Sequence, residues 1–594
     1  MITYRIDLSQ AHAHRFIVTL QVPKPDPEVV LRLPVWIPGS YLVREFARHL
    51  NALQASQAGK PCELIQLDKA TWRVACQGKG TLTVQYEVYA NDTSVRAAFL
   101  DQRRGFFNGT STFLSVDGQQ NQAHRLQITG LPKGWSVATA LPCVKVDGRG
   151  QGWYEAPDHD ALVDHPVELG TFWRGSFSVR GVTHELVVSG AHDQADLERL
   201  LKDTQTICAQ EISFWHGRRK PPFDRYVFLL NVVEDGYGGL EHRDSTALIC
   251  SRKDLPRQGS DARSEGYTTL LGLISHEYFH TWNVKRLKPR EFAPYDYTRE
   301  NHTQMLWFFE GFTSYYDDLI LLRAGLIKPA DYLKLLNKPI NQVLATPGRL
   351  QQSVAQASFD AWTRYYRPDE NTANSTVSYY TKGSLVALCL DLSLRLGPAR
   401  ADGSAPSLDG VMQRLWALQR PIDEADVLHA LNDESTAAPP HGQTWAEVLA
   451  AWVHGVGELP VADLLGRFGV QWTDKPPSLT QQWGLRVQER DSGLKVQAVM
   501  RGSPAEDAGL SAGDELLALN GWRLRKSEDL QAWRSNDGPQ TLLLCRDQKL
   551  REARLPHDHA QPTGWGLSAV ISLCPPQATD SDGLARQQAW LQHA

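Results

Sequence analysis

From the start of the chain to about residue 175, apolar and polar positions alternate in short runs, as in Arg15-Phe16-Ile17-Val18-Thr19-Leu20-Gln21-Val22 and Leu82-Thr83-Val84-Gln85-Tyr86-Glu87-Val88-Tyr89, with Pro and Gly between them. A period of two marks half-buried strands, so this region is expected to be an all-β domain. From about residue 176 the pattern becomes mixed. Strands are expected at Glu185-Leu186-Val187-Val188 and Tyr226-Val227-Phe228-Leu229-Leu230-Asn231-Val232-Val233, with a helix near 194–216 between them and Thr246–Cys250 as an edge strand. Two apolar helical runs follow, Tyr267–Trp282 and Leu306–Asp317, and from about 325 to 470 the chain reads as mostly helical. Two local signals stand out in the first region. Trp36-Ile37-Pro38-Gly39-Ser40-Tyr41 reads as a turn packed by its aromatic residues, in preference to a loop that reaches a site, and Asn108-Gly109 is a hairpin signal.

At 594 residues the chain exceeds a single core, and three or four domains are expected. The formal net charge of −5 gives no basic footprint for nucleic acid. The first residues show no charged start followed by an apolar core, and no apolar run approaches the ~18 residues of a membrane helix, so a cytoplasmic protein is expected. The eight cysteines are scattered without metal-type spacing and read as reduced thiols.

The chemistry sits in the two apolar helical runs. The first carries His276-Glu277-Tyr278-Phe279-His280. On a helix His276 and His280 lie one turn apart on one face, so both imidazoles can reach one metal ion, with Glu277 beside them. Zn²⁺ held by such donors keeps an open position and lowers the pKa of water there toward about 7, which calls for an adjacent base. Glu277 is that base. An amphipathic core helix is the plain alternative, but burying two His and a Glu without partners is costly. A His₂Glu site needs a third ligand from a neighbouring helix, and Glu310, the acid inside the second run, fits. Asp317, about two turns on, is either a solvated acid or an acceptor for the outward nitrogen of a ligating His. Between the α/β strands lies Gly238-Gly239-Leu240-Glu241-His242, where paired glycines allow close backbone approach to a ligand and an extended edge can take a peptide as an added strand.

These residues carry a resemblance. His276-Glu277-Tyr278-Phe279-His280 with Trp307-Phe308-Phe309-Glu310-Gly311-Phe312 resembles the gluzincin aminopeptidases, although the gap from His280 to Glu310 is longer than in the aminopeptidase N pattern. The wording from His276 through Thr281-Trp282-Asn283-Val284-Lys285-Arg286-Leu287, with Leu33-Pro34-Val35-Trp36-Ile37-Pro38-Gly39-Ser40-Tyr41, is similar to the glycyl aminopeptidase family, over nearly the whole chain. Gly238-Gly239-Leu240-Glu241-His242 resembles the Gly-x-Met-Glu-Asn segment of zinc aminopeptidases, in which the acid holds the substrate's α-ammonium. Glu241 takes that role by resemblance, with Gly238 and Gly239 as substrate-binding positions, while His242 departs from the usual Asn. Ser378-Tyr379-Tyr380-Thr381-Lys382-Gly383 resembles the Tyr-Glu-Lys-Gly segment whose tyrosine stabilises the oxyanion; aligned on Lys-Gly, the match is Tyr380. Trp483-Gly484-Leu485, Gly502-Ser503-Pro504 and Gly513-Asp514-Glu515 look like parts of a PDZ domain, which implies a groove for peptide C-termini, though the first loop departs from Gly-Leu-Gly-Phe.

The patterning and the resemblance together imply a multidomain α+β chain: an N-terminal β domain over 1–175, a thermolysin-like α/β zinc catalytic domain over 176–325, an α-helical domain over 326–472 and a PDZ-like domain over 473–560, while a composition rich in Gln, Asp and Ala implies a loosely ordered tail over 561–594. The expected function is that of a zinc aminopeptidase with one Zn²⁺ per chain, acting on peptides with a free N-terminus, glycine and other small residues first. The rival readings are a peptide-binding scaffold built around the PDZ-like segment and a zinc endopeptidase.

Overall fold

The computed structural model describes the chain except residues 399, 401–403, 436–438, 440–441, 557–563, 576–580 and 592–594. It divides into two units, Met1–Asn301 with Gln419–Pro421, and His302–Leu418 with Ile422–Ala594.

The first unit begins with the expected β region. Alternation in Ile2–Gln10 places Ile2, Tyr4, Ile6 and Leu8 inward, and this strand lies within an eight-stranded sheet between His124–Thr129 and Arg15–Val22. Two four-stranded sheets complete the region. Asn108-Gly109 does not make a hairpin. Asn108 is buried and donates its side-chain amide to the Val95 carbonyl at 2.8 Å, and a turn of 3₁₀ helix, Gly109–Ser111, follows it. Gly109 is needed for packing, since a β-carbon there would meet Cα of Val163 at 2.6 Å.

A five-stranded sheet follows in the order Trp173–Val179, Val182–Ser189, Arg225–Val233, Ser245–Ser251, Tyr237–Glu241. The three inner strands run parallel and both edges are antiparallel. Arg225–Val233, flanked on both sides, is buried along almost its whole length, which is why it reads as a continuous apolar run. The strand over 246–250, expected at the edge, lies inside the sheet. The edge is Tyr237–Glu241, the glycine-bearing segment itself. Helix Leu197–His216 connects the second and third strands, capped by the Asp196 carboxylate on the Arg199 N–H at 3.0 Å.

The second unit is helical up to residue 467 and then β-rich. Its helices include Gly311–Arg323, Pro329–Leu344 and Thr381–Arg395. The last sheet contains Leu485–Arg490 at one edge, paired on one side only with Gly493–Val499. The tail is more ordered than its composition implies. Ala569–Leu573 pairs with Val470–Asp474, and in helix Ser581–Leu591 the buried Trp590 donates its indole N–H to the Tyr315 hydroxyl at 3.1 Å. The stretches of the tail at 561–563, 576–580 and 592–594 lie outside the described residues. No helix among the described residues is long and apolar enough to cross a membrane.

Candidate active site

Helix Glu265–Phe279 carries the His-Glu-x-x-His motif. It starts where Ser264 accepts the Tyr267 N–H at 3.0 Å, with Glu265 in its first turn, and ends at His280. Past the end the chain folds back. The Asn283 N–H donates to the Phe279 carbonyl, the Lys285 N–H to that of His280, and Val284 sits at φ +116, a conformation strained for a β-branched residue. That turn aims the Asn283 carbonyl at His280 Nδ1, 2.8 Å away. With its proton held on Nδ1, His280 presents the Nε2 lone pair to its surroundings. His276 Nε2 lies 3.1 Å from His280 Nε2.

The edge strand and this helix meet at a glycine. A β-carbon on Gly239 would lie 2.1 Å from Oε1 of Glu277, so only glycine lets the strand rest on that carboxyl group. Gly238, at φ +155, favours glycine for its backbone. Glu241 is two residues beyond Gly239 on the same face of the strand, and its side chain is buried.

Gly39 lies against Glu241. Ile37-Pro38-Gly39-Ser40 is a type II turn, closed by the Ser40 N–H on the Ile37 carbonyl at 3.1 Å with Gly39 at φ +88. A β-carbon on Gly39 would fall 2.3 Å from Oε2 of Glu241. The segment is therefore both things that the sequence left as alternatives. Trp36 packs on Tyr295 and Tyr297, Tyr41 on Phe292, and the tip of the turn reaches the candidate site.

His242, whose role the sequence left open, faces a buried ion cluster. Asp164 Oδ1 accepts from Lys285 Nζ at 2.7 Å and from His242 Nδ1 at 3.2 Å, and Oδ2 accepts the Arg243 N–H at 3.1 Å. Burial alone would raise the Asp164 carboxyl, but Lys285, His242 and Arg243 hold it well below the usual carboxylate range. Burial lowers the His242 pKa against the pull of Asp164, so the ring is neutral at pH 7 and donates from Nδ1. Arg286 continues the cluster, donating to Asp244 at 2.7 Å and to the Thr281 carbonyl at 2.9 Å. The run Thr281–Leu287 thus orients the motif helix and ties it to the β domain through Asp164. Nothing in the sequence marks Asp164 for this.

In the second unit, Glu310 and Tyr380 are brought together by two glycines. A β-carbon on Gly311 would meet Gly383 Cα at 2.6 Å, and one on Gly383 would meet the Trp307 carbonyl at 2.7 Å. Helices Gly311–Arg323 and Thr381–Arg395 touch there, which sets Glu310 and Tyr380 side by side at their N-termini. Burial, and then the Glu310 charge, push the Tyr380 phenol well above its usual range, so it remains a proton donor. Tyr379 is fully buried in the same aromatic cluster, with its ring stacked on Tyr380 at 4.8 Å. Tyr366, which the sequence did not single out, has its hydroxyl 3.4 Å from that of Tyr380. The half-buried Asp317 accepts the Asp318 N–H at 2.6 Å.

The first unit supplies the imidazoles of His276 and His280, and the second unit carries the carboxylate of Glu310. Two imidazoles and a carboxylate form a zinc-type donor set, and ligands about 2.0–2.1 Å from a tetrahedral ion stand about 3.3 Å apart, close to the separation of the two Nε2 atoms. The donor set fits Zn²⁺.

Comparison with known proteins agrees with these features. The family model for the Peptidase M61 N-terminal domain matches residues 3–171, that for M61 glycyl aminopeptidase 269–386, and that for the PDZ domain 471–544. Among solved structures, an aminopeptidase N family protein from Idiomarina loihiensis is 36% identical over 100% of both chains, with a TM-score of 0.90. An M1 zinc metallopeptidase from Deinococcus radiodurans is 13% identical over 77% of this chain and 94% of its own, with a TM-score of 0.48. Yeast LTA4 hydrolase is 14% identical over 79% of this chain and 70% of its own, at 0.46. No curated protein matches the chain.

Proposed function

This chain belongs to the M61 glycyl aminopeptidase family and is a zinc-dependent aminopeptidase, and we propose that it hydrolyses the N-terminal peptide bond of peptides with a free amine, glycine and other small first residues being preferred. His276, His280 and Glu310 hold one Zn²⁺ per chain. The ion supplies Lewis acidity, polarising a carbonyl and lowering the pKa of water. Glu277 takes the proton of the attacking water and delivers it to the leaving amine. Tyr380 donates a hydrogen bond to the carbonyl oxygen as charge builds on it. Glu241 pairs with the α-ammonium, and the strand through Gly238 and Gly239 aligns the substrate backbone.

One observation carries the aminopeptidase reading. Gly239, which rests on Glu277, and Glu241 share one face of the edge strand, two residues or about 6.8 Å apart. The proposed base and the proposed amine-binding acid therefore stand side by side, and a single residue fits between an ammonium at one and a scissile carbonyl at the other. The open edge Leu485–Arg490 is the place where the PDZ domain takes a peptide C-terminus by strand addition. The eight unpaired cysteines suit a reducing compartment, the cytoplasm.

The test is a panel of glycyl, alanyl and leucyl amides with metal analysis. The expected results are one zinc per chain, loss of activity on chelation and recovery on adding one equivalent of zinc, and turnover in the order glycyl, alanyl, leucyl. Removal of a ligand by His280→Ala or Glu310→Ala should abolish bound zinc and activity together. Stoichiometric zinc with normal turnover in either variant takes that residue out of the ligand set.

A further inference from the structure

We propose that Tyr366 is a second oxyanion donor, which forms with Tyr380 a two-phenol hole for the tetrahedral oxygen. This rests on the role given to Tyr380 above.

The two hydroxyl oxygens are 3.4 Å apart. A well-formed bond between hydroxyls is about 2.7–2.8 Å long, so this separation is beyond that of a strong mutual bond. It is the spacing of two donors that share an acceptor: an oxygen about 2.7 Å from each would see them at roughly 80°. The two phenols arrive from different segments. Tyr380 stands at the start of helix Thr381–Arg395, and Tyr366 follows the turn after helix Val354–Phe359. That turn is fixed by the Asp360 carboxylate, which accepts from Gln352 at 2.9 Å and Gln356 at 3.0 Å, while the Tyr366 N–H donates to the Ala361 carbonyl at 3.1 Å. The Tyr365 ring is the spacer, 5.6 Å from that of Tyr366 and 5.3 Å from that of Tyr380. Tyr366 and Tyr380 are half-buried residues, whereas Tyr379 is fully buried.

The chemistry requires no proton transfer from either tyrosine. When water adds to the carbonyl carbon, the π-bond pair moves to the carbonyl oxygen, and two O–H groups donate to it in place of one. They withdraw to neutral hydrogen bonding when the C–N bond breaks and the pair returns. Donors preorganised around developing charge act on the transition state more than on the bound substrate.

The experiment is a double-mutant cycle of Tyr366→Phe and Tyr380→Phe on a glycyl amide, with zinc content, thermal unfolding and the inhibition constant of a phosphinic dipeptide analogue. Tyr366→Phe should lower kcat by about 10²-fold with KM little changed, as for loss of one oxyanion donor. Analogue binding should weaken, while zinc content and melting stay at wild-type levels. In the Tyr380→Phe background the second substitution should still cost at least tenfold. No further loss there means that Tyr366 acts only by holding Tyr380, and the proposal fails. A wild-type rate for Tyr366→Phe beside a crippled Tyr380→Phe also overturns it and leaves the role of Tyr380 intact. A wild-type rate for Tyr380→Phe removes the parent reading, and the pair with it.

Discussion

Gly239 lies so close to Glu277 that a methyl group on it would stand 2.1 Å from the carboxylate oxygen. The edge strand and the proposed base are thus in van der Waals contact, and the contact depends on a missing side chain. Gly239→Ala must displace one of them. The base sits on a helix buried on nearly every side, so its carboxylate, the far end of a flexible side chain, is the part that yields.

The expected outcome for Gly239→Ala is a fall in kcat of about 10²-fold, in the range that general acid–base catalysis contributes, with zinc retained. Glu277→Gln should behave in the same way and more severely. Steady-state kinetics with metal analysis on both variants checks this. An alanine variant that turns over at the wild-type rate would show that the position of the Glu277 carboxylate is unimportant, which a general base does not permit.

The second contact of this kind concerns the amine. Gly39 is required twice, by φ +88 and by the Glu241 carboxylate 2.3 Å from where its β-carbon would be. Gly39→Ala should push Glu241 out of line for an α-ammonium. Loss of a desolvated charge partner costs about 3–5 kcal/mol, so kcat/KM on a glycyl amide should drop by several hundredfold or more in Glu241→Gln and by a lesser factor in Gly39→Ala. The diagnostic quantity is the ratio of activity on free and N-acetylated substrate: high in wild type, reduced in both variants. If wild type cleaves the two forms equally, the amine is not read and the endopeptidase reading takes over.

How far the sequence could be read depended on the range of the interactions. The His276–His280 spacing is a local property of a helix, and the strand alternation of Ile2–Gln10 is a local property of a sheet, so both were legible. The order of strands was not: Tyr237–Glu241 and Ser245–Ser251 have similar local signals, and which of them pairs on two sides is decided by register with Arg225–Val233. Asn108-Gly109 carries a strong turn preference, yet the Asn108 amide is taken by the Val95 carbonyl and the hairpin is lost. The site residues that escaped notice are held by partners distant in sequence: Gly39 by Glu241 and Gly311 by Gly383. For Gly39 the Pro-Gly turn was visible and its destination was not. The terminal helix was missed because one buried tryptophan, Trp590, outweighs a polar composition.

The last prediction concerns the ion cluster behind His242. Asp164 and Lys285 are both buried, 2.7 Å apart, and breaking a buried pair leaves a charge without compensation. Asp164→Asn should therefore destabilise the first unit by about 3–5 kcal/mol at pH 7. The pH dependence follows from the direction of the Asp164 shift. Its folded pKa is depressed, so the stabilisation is fully present above the unfolded value near 3.8 and is lost as the pH falls from there through the folded value. The gap between wild type and variant should be flat from pH 7 to about pH 4.5, then close by up to about 1.4 kcal/mol per pH unit below pH 4. Urea unfolding of both proteins over that range measures it. A gap that starts to close near neutral pH would point to His242 rather than Asp164 as the titrating group. A gap absent at pH 7 would mean that Lys285 finds other compensation, and that the cluster does not tie the motif helix to the β domain.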